Sequence, residues 1–138
     1  MADKVFSQAA YVVFLHNLRG HKGQRPFRPT TKQEFTGERD RVLSQLHRQW
    51  GFDVPACDID FLEYDRSRPI ALIEYKKRTD WDTAPVLRDA NLKALICLGT
   101  RAKVPVFCVF YAPDHSMFRV VPLNTCASAV ERRLPFCW

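Results

Sequence analysis

Apolar positions in the first third of the chain fall into two stretches that indicate secondary structure. Val5 to Leu15 is apolar enough to be buried but too short to fix its period, so we predict a helix and keep a strand as the alternative. The capping-box pattern Thr31 to Glu34 predicts a second helix from about Thr31 to Trp50, with Thr36 as another possible start. Its predicted buried stripe is Phe35, Val42, Leu43, Leu46 and Trp50.

The stretch from Ala56 to Arg78 reads as two strands joined by a polar turn, Asp65 to Pro69. Side chains alternate along a strand, so Asp58 and Asp60 share one face of the first strand. By the same alternation Glu74 and Lys76 share one face of the second. We predict that the two polar faces coincide.

Beyond the hairpin the pattern changes from a helical period to short apolar runs. We predict a helix from Pro85 to Leu98 that ends at Gly99, with its N-cap among residues 80–83. Its predicted buried side consists of Leu87, Ala90, Asn91, Ala94, Leu95 and Leu98. Val104 to Ala112 predicts a buried strand, Met117 to Leu123 a peripheral strand, and residues 124–133 a last helix. A strand, helix and strand in succession favour a parallel crossover, hence an α/β fold with a mixed central β-sheet and flanking helices.

Length and composition narrow the class of protein. A chain of 138 residues favours a single domain, 1–138, and its hydrophobic fraction of 46% and charged fraction of 26% argue against disordered and fibrous proteins. No run approaches the ~20 apolar residues of a membrane span and no signal peptide is evident, so we expect no membrane association and a cytoplasmic location. The five cysteines show no CxxC pair, which favours buried, reduced thiols.

The net charge of +6 favours an anionic partner, with nucleic acid before an acidic membrane surface. Residues 16–30 form a basic loop that is either a solvated connector or a phosphate-contacting segment. A basic rim follows the second strand of the hairpin. The candidate nucleic-acid-binding residues are Arg19, Lys22, Arg25, Arg28, Lys77 and Arg78.

The acidic residues of the hairpin suggest metal chemistry. Asp58, Asp60 and Glu74 on one face would repel one another unless a cation lies among them, and Lys76 offsets only part of that charge. Mg²⁺ prefers oxygen ligands of this kind and assists phosphodiester hydrolysis. The alternative is a solvated hairpin face with surface ion pairs, which contribute little stability.

Asp60 followed by a hairpin, Glu74-Tyr75-Lys76 at the end of an apolar strand, a helix and a buried strand resemble the PD-(D/E)XK, or restriction endonuclease-like, nuclease superfamily. The resemblance covers roughly Thr36 to Leu123, with a core at 36–123, and implies an αβββαβ core. No proline directly precedes Asp60, and Asp58 competes for the role of the motif aspartate. The final third also resembles small phage-encoded members.

The resemblance implies a divalent-metal-dependent endonuclease or exonuclease acting on DNA. Catalytic roles would go to Asp60, Glu74 and Lys76, and the ligands of Mg²⁺, or of Mn²⁺, would be Asp60, Glu74, the Tyr75 carbonyl and Asp58 as the alternative aspartate. RNA is the alternative substrate, and a catalytically silent nucleic-acid-binding or protein-interaction module is the alternative function. The resemblance also allows a homodimer and, for a phage-encoded protein, a location in the host cytoplasm.

Overall fold

The computed structural model describes residues 3–18, 41–50, 57–81 and 89–133. The chain divides into two compact units, residues 25–57 and the remainder. The smaller unit contains α2, and all other elements belong to the larger one. In chain order the elements are β1 (Lys4–Ser7), α1 (Gln8–Leu18), α2 (Arg41–Trp50), β2 (Phe61–Asp65), β3 (Arg68–Lys77), α3 (Ala90–Ala102), β4 (Val106–Tyr111), β5 (Met117–Pro122) and α4 (Thr125–Arg133).

The five strands form one mixed sheet in the order β1-β5-β4-β3-β2. Strands β3 and β4 are parallel and are joined through α3, while each other neighbouring pair is antiparallel. The predicted α/β class with a mixed central sheet is confirmed. The prediction that β5 is peripheral is wrong, because β1 pairs with β5 from Lys4↔Val120 to Ser7↔Met117 and makes it an interior strand.

Each face of the sheet carries its own hydrophobic cluster because side chains alternate along the strands. Ala71 and Ile73 of β3 belong to the cluster that contains Tyr11 and Phe14 of α1 and Ala127 of α4. On the opposite face, Leu72, Val106 and Cys108 pack with Leu92 and Leu95 of α3. Helices therefore cover both faces, as the sequence predicted.

The hairpin turn is tighter than the predicted five-residue turn. Arg66 and Ser67 both have positive φ, 48° and 65°, and Asp65 pairs with Arg68 across them. Positive φ at both central residues is the geometry of the two-residue turn that matches strand twist. Strand β2 begins only at Phe61, so Asp58 and Asp60 precede the strand instead of lying within it.

Helix α3 continues past Gly99 to Ala102, and Lys103, with a φ of 57°, is its C-cap. The predicted end at Gly99 is therefore wrong. A Cβ built at Gly99 would collide with the Val106 side chain and lie 3.0 Å from the Val104 carbonyl oxygen. The glycine serves a close approach of α3 to β4 instead of a helix end.

Of the predicted buried side of α3, only Leu95 is confirmed among the described residues, because Ala90, Asn91, Ala94 and Leu98 are exposed. Leu92, which the pattern left off that side, is buried. Leu87 lies outside the described residues. Apolar residues occur nearly all round this helix, so its period does not identify the packed side. Cys108 is buried as expected, but Cys97 on α3 is exposed. The predicted N-cap at residues 80–83 and start near Pro85 are wrong for this helix, because its N-cap is Asp89, which has extended φ and ψ, and α3 begins at Ala90.

The two N-terminal predictions have different outcomes. Val5 to Leu15 contains both alternatives in succession, since β1 ends at Ser7 and α1 begins at Gln8. The helix prediction to Trp50 is confirmed for 41–50, and 31–40 lie outside the described residues. The predicted burial of Val42, Leu43 and Trp50 is wrong, because these side chains are 65%, 54% and 67% exposed. Helical spacing shows that the apolar residues share a face but not that anything covers it.

The last helix, α4, is confirmed at 125–133. Asn124 precedes it and accepts a hydrogen bond from the Ala127 backbone N–H, the interaction of an N-cap residue. No helix in the described ranges is both long and apolar enough to cross a bilayer.

Candidate functional site

The carboxyl end of β3 carries the candidate site. Glu74 and Lys76 lie on the same face as Leu72, the face that α3 covers, and they pair in register with Cys108 and Phe110 of β4. Helix α3 begins beside them, since its N-cap, Asp89, contacts the Lys76 ammonium. Ligand sites of α/β proteins commonly lie at the carboxyl ends of parallel strands, and this group occupies such a position.

Asp60 reaches the same strand end from the segment just before β2. Its Oδ2 accepts a hydrogen bond of 2.9 Å from the backbone N–H of Tyr75. The pairing of β2 with β3 starts at Phe61↔Ile73, so no residue of β2 is opposite Tyr75. The Asp60 carboxylate accepts the Tyr75 N–H in place of a strand carbonyl. Asp58, two residues earlier, is exposed. The structure thus brings Asp60 to the residue between Glu74 and Lys76.

Glu74 is held in an environment that disfavours its charge. Its side chain is 13% exposed, and the pKa of its carboxyl is raised, first by burial and then by the negative charge of Asp60. The Lys76 ammonium, 3.5 Å from Glu74 Oε1, opposes this increase only in part. A carboxylate next to a second carboxylate and away from water is the arrangement in which an additional cation is most favourable.

Lys76 lies between two carboxylates and is closer to Asp89. Its Nζ is 2.7 Å from Asp89 Oδ2, against 3.5 Å from Glu74. Burial alone would lower the pKa of Lys76, but the hydrogen bond and charge of Asp89 and the charge of Glu74 outweigh burial and raise it. The same hydrogen bond, together with the Asn91 backbone N–H, lowers the pKa of Asp89. Lys76 is therefore a fixed positive charge rather than a free base.

Tyr75 supports the candidate site in two ways. Its backbone groups point to the edge of β3 that faces Asp60, and its ring lies on the face of the sheet opposite Glu74 and Lys76. The N–H and C=O of one strand residue point to the same edge, so the Tyr75 carbonyl points to the edge where Asp60 lies. The Tyr75 hydroxyl is hydrogen-bonded to that of Tyr11 in α1, and its ring contacts Phe61 edge-on at 5.5 Å. This packing fixes the strand end from the face opposite Glu74 and Lys76.

The donors available to a metal are few. The described residues contain no group of three or more His, Cys, Asp and Glu side chains suited to hold a metal ion. Asp89 accepts hydrogen bonds from Lys76 and from the Asn91 N–H, so the candidate side-chain donors at this strand end are the carboxylates of Asp60 and Glu74. Mg²⁺ is usually bound through one or two carboxylates, with water and substrate phosphate as the other ligands, so this donor set fits Mg²⁺, and Mn²⁺ in the same place.

The predicted basic residues are only partly within the described residues, because Arg19, Lys22, Arg25 and Arg28 lie outside them. Lys77 is exposed at the end of β3. Arg78 lies over the Phe110 ring at 5.5 Å and donates a hydrogen bond to the Asp80 carbonyl. Of these two described basic residues, Arg78 lies beside β4 just after β3, whereas the side chain of Lys77 alternates to the face opposite Glu74 and Lys76.

Sequence reasoning missed the contact of Asp89 with Lys76 and, farther along the sheet, the contacts of Arg119 with Trp81. The sequence did contain a signal for Asp89. Aspartate is a common N-cap residue, and Asp89 lies three positions before Leu92 and six before Leu95, which are both buried in α3. Arg119 of β5 donates a hydrogen bond of 2.8 Å to the Trp81 carbonyl and lies over the Trp81 ring. It holds the segment after β3 against the sheet, and no local sequence signal links these two residues.

Comparison with protein-family models, with curated proteins and with solved structures found no match to this chain. The resemblance to the restriction endonuclease-like superfamily therefore stays a prediction.

Proposed function

We propose that the protein is a divalent-metal-dependent nuclease that hydrolyses phosphodiester bonds in DNA. One observation supports this proposal above the others: Asp60, Glu74 and Lys76 meet at the carboxyl end of β3, although Asp60 lies in a different chain segment. Two carboxylates can hold a divalent cation, and a fixed ammonium can stabilise the negative charge that develops during attack on a phosphodiester.

Each residue has a distinct role in this proposal. Asp60 and Glu74 hold Mg²⁺, with the Tyr75 carbonyl as a further oxygen ligand. The bound ion supplies Lewis-acid assistance and a more acidic water. Lys76, held positive by its two carboxylate neighbours, stabilises the negative charge that develops on the phosphate oxygens. The Glu74 carboxylate is the least exposed of these groups, so the charges that act on it are screened less by water than those at Lys76 or Asp60.

The arrangement of strands supports the proposed core in part. The parallel pair β3 and β4 with α3 between them corresponds to the strand, helix and strand that end an αβββαβ core. Within the described residues 57–81, two strands precede α3, where that core has three. The restriction endonuclease-like core remains part of the proposal, as does the assignment of Asp60 rather than Asp58 as the motif aspartate.

Nucleic acid is the proposed partner. Lys77 and Arg78 follow Lys76 in the chain, and together with Arg19, Lys22, Arg25 and Arg28 they are proposed to contact phosphates. Residues 16–18, which the sequence predicted as the start of the basic loop, belong to α1 instead. DNA is the proposed substrate, with RNA as the variant to be compared in the same assay. A homodimer would place two such sites on the two strands of a duplex, and the mass of the protein in solution tests it.

The test is a cleavage assay with purified protein on single-stranded DNA, duplex DNA and RNA, in Mg²⁺, in Mn²⁺ and in a chelator. We expect cleavage only with metal, and a loss of about 10²- to 10³-fold in Asp60→Asn, Glu74→Gln and Lys76→Met. Matched controls are Asp65→Asn at the hairpin turn and Lys93→Met on α3, both exposed and both expected to retain activity.

Two outcomes would contradict the proposal. Full activity in Glu74→Gln would assign the cleavage to another site or to a contaminant. Salt-dependent DNA binding with no cleavage in either metal would favour the catalytically silent module on the same fold.

A further inference from the structure

Asp89 serves two partners at once. Its Oδ1 accepts a hydrogen bond of 2.8 Å from the backbone N–H of Asn91, which caps α3. Its Oδ2 accepts a hydrogen bond of 2.7 Å from Lys76 Nζ. Because each carboxylate oxygen has its own partner, the cap and the ion pair exist together and link the first turn of α3 to the end of β3.

The ion pair determines where the Lys76 ammonium lies. A lysine side chain is a flexible stem with a compact charge, so one neighbouring carboxylate does not define its position well. Lys76 has two, and the contact with Asp89 is the shorter by 0.8 Å, from 2.7 Å against 3.5 Å. The Lys76 and Asp89 side chains are 30% and 33% exposed, so neither is fully solvated.

We propose that Asp89 is a positioning residue that holds the Lys76 ammonium at the start of α3 and leaves the Glu74 carboxylate available to a cation. With Asp89 as its closer partner, Lys76 neutralises the N-cap carboxylate first and Glu74 only in part. The catalytic consequence rests on the proposed nuclease function, whereas the placement of Lys76 does not.

The competing explanation is that Asp89 is only a helix cap. Asn caps helices about as well as Asp, so Asp89→Asn keeps the cap and removes the charge that holds Lys76. Asp89→Ala removes both, and Asp89→Glu keeps the charge on a longer stem. Asp114→Asn is the matched control, because Asp114 Oδ1 also accepts a local backbone N–H, from Ser116, with a second bond from the Ser116 hydroxyl.

The first measurement is thermal unfolding and needs no activity. We expect Asp89→Asn to lower the melting temperature by roughly 2–4 °C more in the wild-type background than in the Lys76→Met background. Asp114→Asn should have the same effect in both. An equal decrease for Asp89→Asn in the two backgrounds would show that Asp89 only caps α3 and would overturn the proposal.

The second measurement is steady-state cleavage. Misplacing Lys76 should lower kcat of Asp89→Asn by about 10- to 100-fold with little change in KM, with part of the loss recovered in Asp89→Glu and none seen in Asp114→Asn. Wild-type kcat in Asp89→Asn would overturn the catalytic part. If the wild type cleaves nothing, the nuclease proposal fails, and the unfolding measurement still decides whether Asp89 positions Lys76.

Discussion

Gly99 sets how closely α3 approaches the sheet, and replacing it by alanine should reverse the usual sign of that substitution. Gly99 is buried within α3, and an added Cβ would collide with Val106 Cγ2 and lie 3.0 Å from the Val104 carbonyl oxygen and 3.4 Å from Asn124 Nδ2. In an open helix, alanine is favoured over glycine by about 1 kcal/mol. Here the methyl group has no room, and the helix that carries Asp89 must move or Val106 must adopt another rotamer.

The net effect follows from these two opposing contributions. Forcing an extra methyl into a packed core costs about 1–3 kcal/mol, which outweighs the helix-propensity gain of about 1 kcal/mol. We therefore expect Gly99→Ala to reduce the free energy of unfolding by about 1 kcal/mol and to lower the melting temperature by roughly 3–5 °C. Circular dichroism during heating measures this melting temperature directly.

A second background separates overpacking from other causes. Val106→Ala removes the atom that the new methyl would meet, so Gly99→Ala should destabilise that variant less than it destabilises the wild type. A higher melting temperature for Gly99→Ala in the wild-type background would refute the reasoning, because it would show that α3 can accept a side chain facing β4.

Two further predictions concern polar groups. The raised pKa of Glu74 means that the folded protein binds its proton more tightly than the unfolded chain, so in a chelator this group should make stability fall as the pH rises past the ordinary range of a glutamate. The melting temperature of Glu74→Gln should therefore be higher than that of wild type at pH 7 and equal to it near pH 4. A lower melting temperature at pH 7 would contradict the burial argument. Asn124→Ala should reduce the free energy of unfolding, measured by chemical denaturation, by about 2–5 kcal/mol. Asn124 is buried and is hydrogen-bonded to the Val106 N–H, the Ala127 N–H and the Val104 carbonyl. A reduction below about 1 kcal/mol would mean that water replaces the Asn124 side chain.

Local patterns predicted the elements of the larger unit that carry the site. Near-continuous apolar runs indicated β3 and β4, and the connection through a helix predicted their parallel pairing, which the register Glu74↔Cys108 shows. Glu74 and Lys76 share a face because the side-chain period of a strand is two, so their proximity was already contained in the sequence.

Pairings between distant segments were outside the reach of that reasoning. β1 is four residues long and gains its partners from β5, more than a hundred positions later, so no local signal distinguishes it from the start of α1. The buried side of α3 was misassigned because alanine, leucine and cysteine occur around most of its circumference, and only β4 shows which side is packed. Asp89 was missed because its partner, Lys76, lies 13 residues away on another element.

The charge pattern at the end of β3 gives a physical reason to expect a function there rather than a purely structural role. Lys76 pairs with two carboxylates, those of Glu74 and Asp89, and the carboxylate of Asp60 adds a third negative charge that acts on Glu74. Burial and Asp60 both work against the charge of Glu74, and a protein selected for stability alone would gain from an amide in its place. Groups whose surroundings disfavour their charge are commonly part of binding or catalytic sites, and a divalent cation would remove this cost. Mg²⁺ at 100 times its Kd should then stabilise the wild type by about 2.7 kcal/mol. The same Mg²⁺ concentration should stabilise Glu74→Gln much less, because this variant lacks one of the two carboxylate ligands.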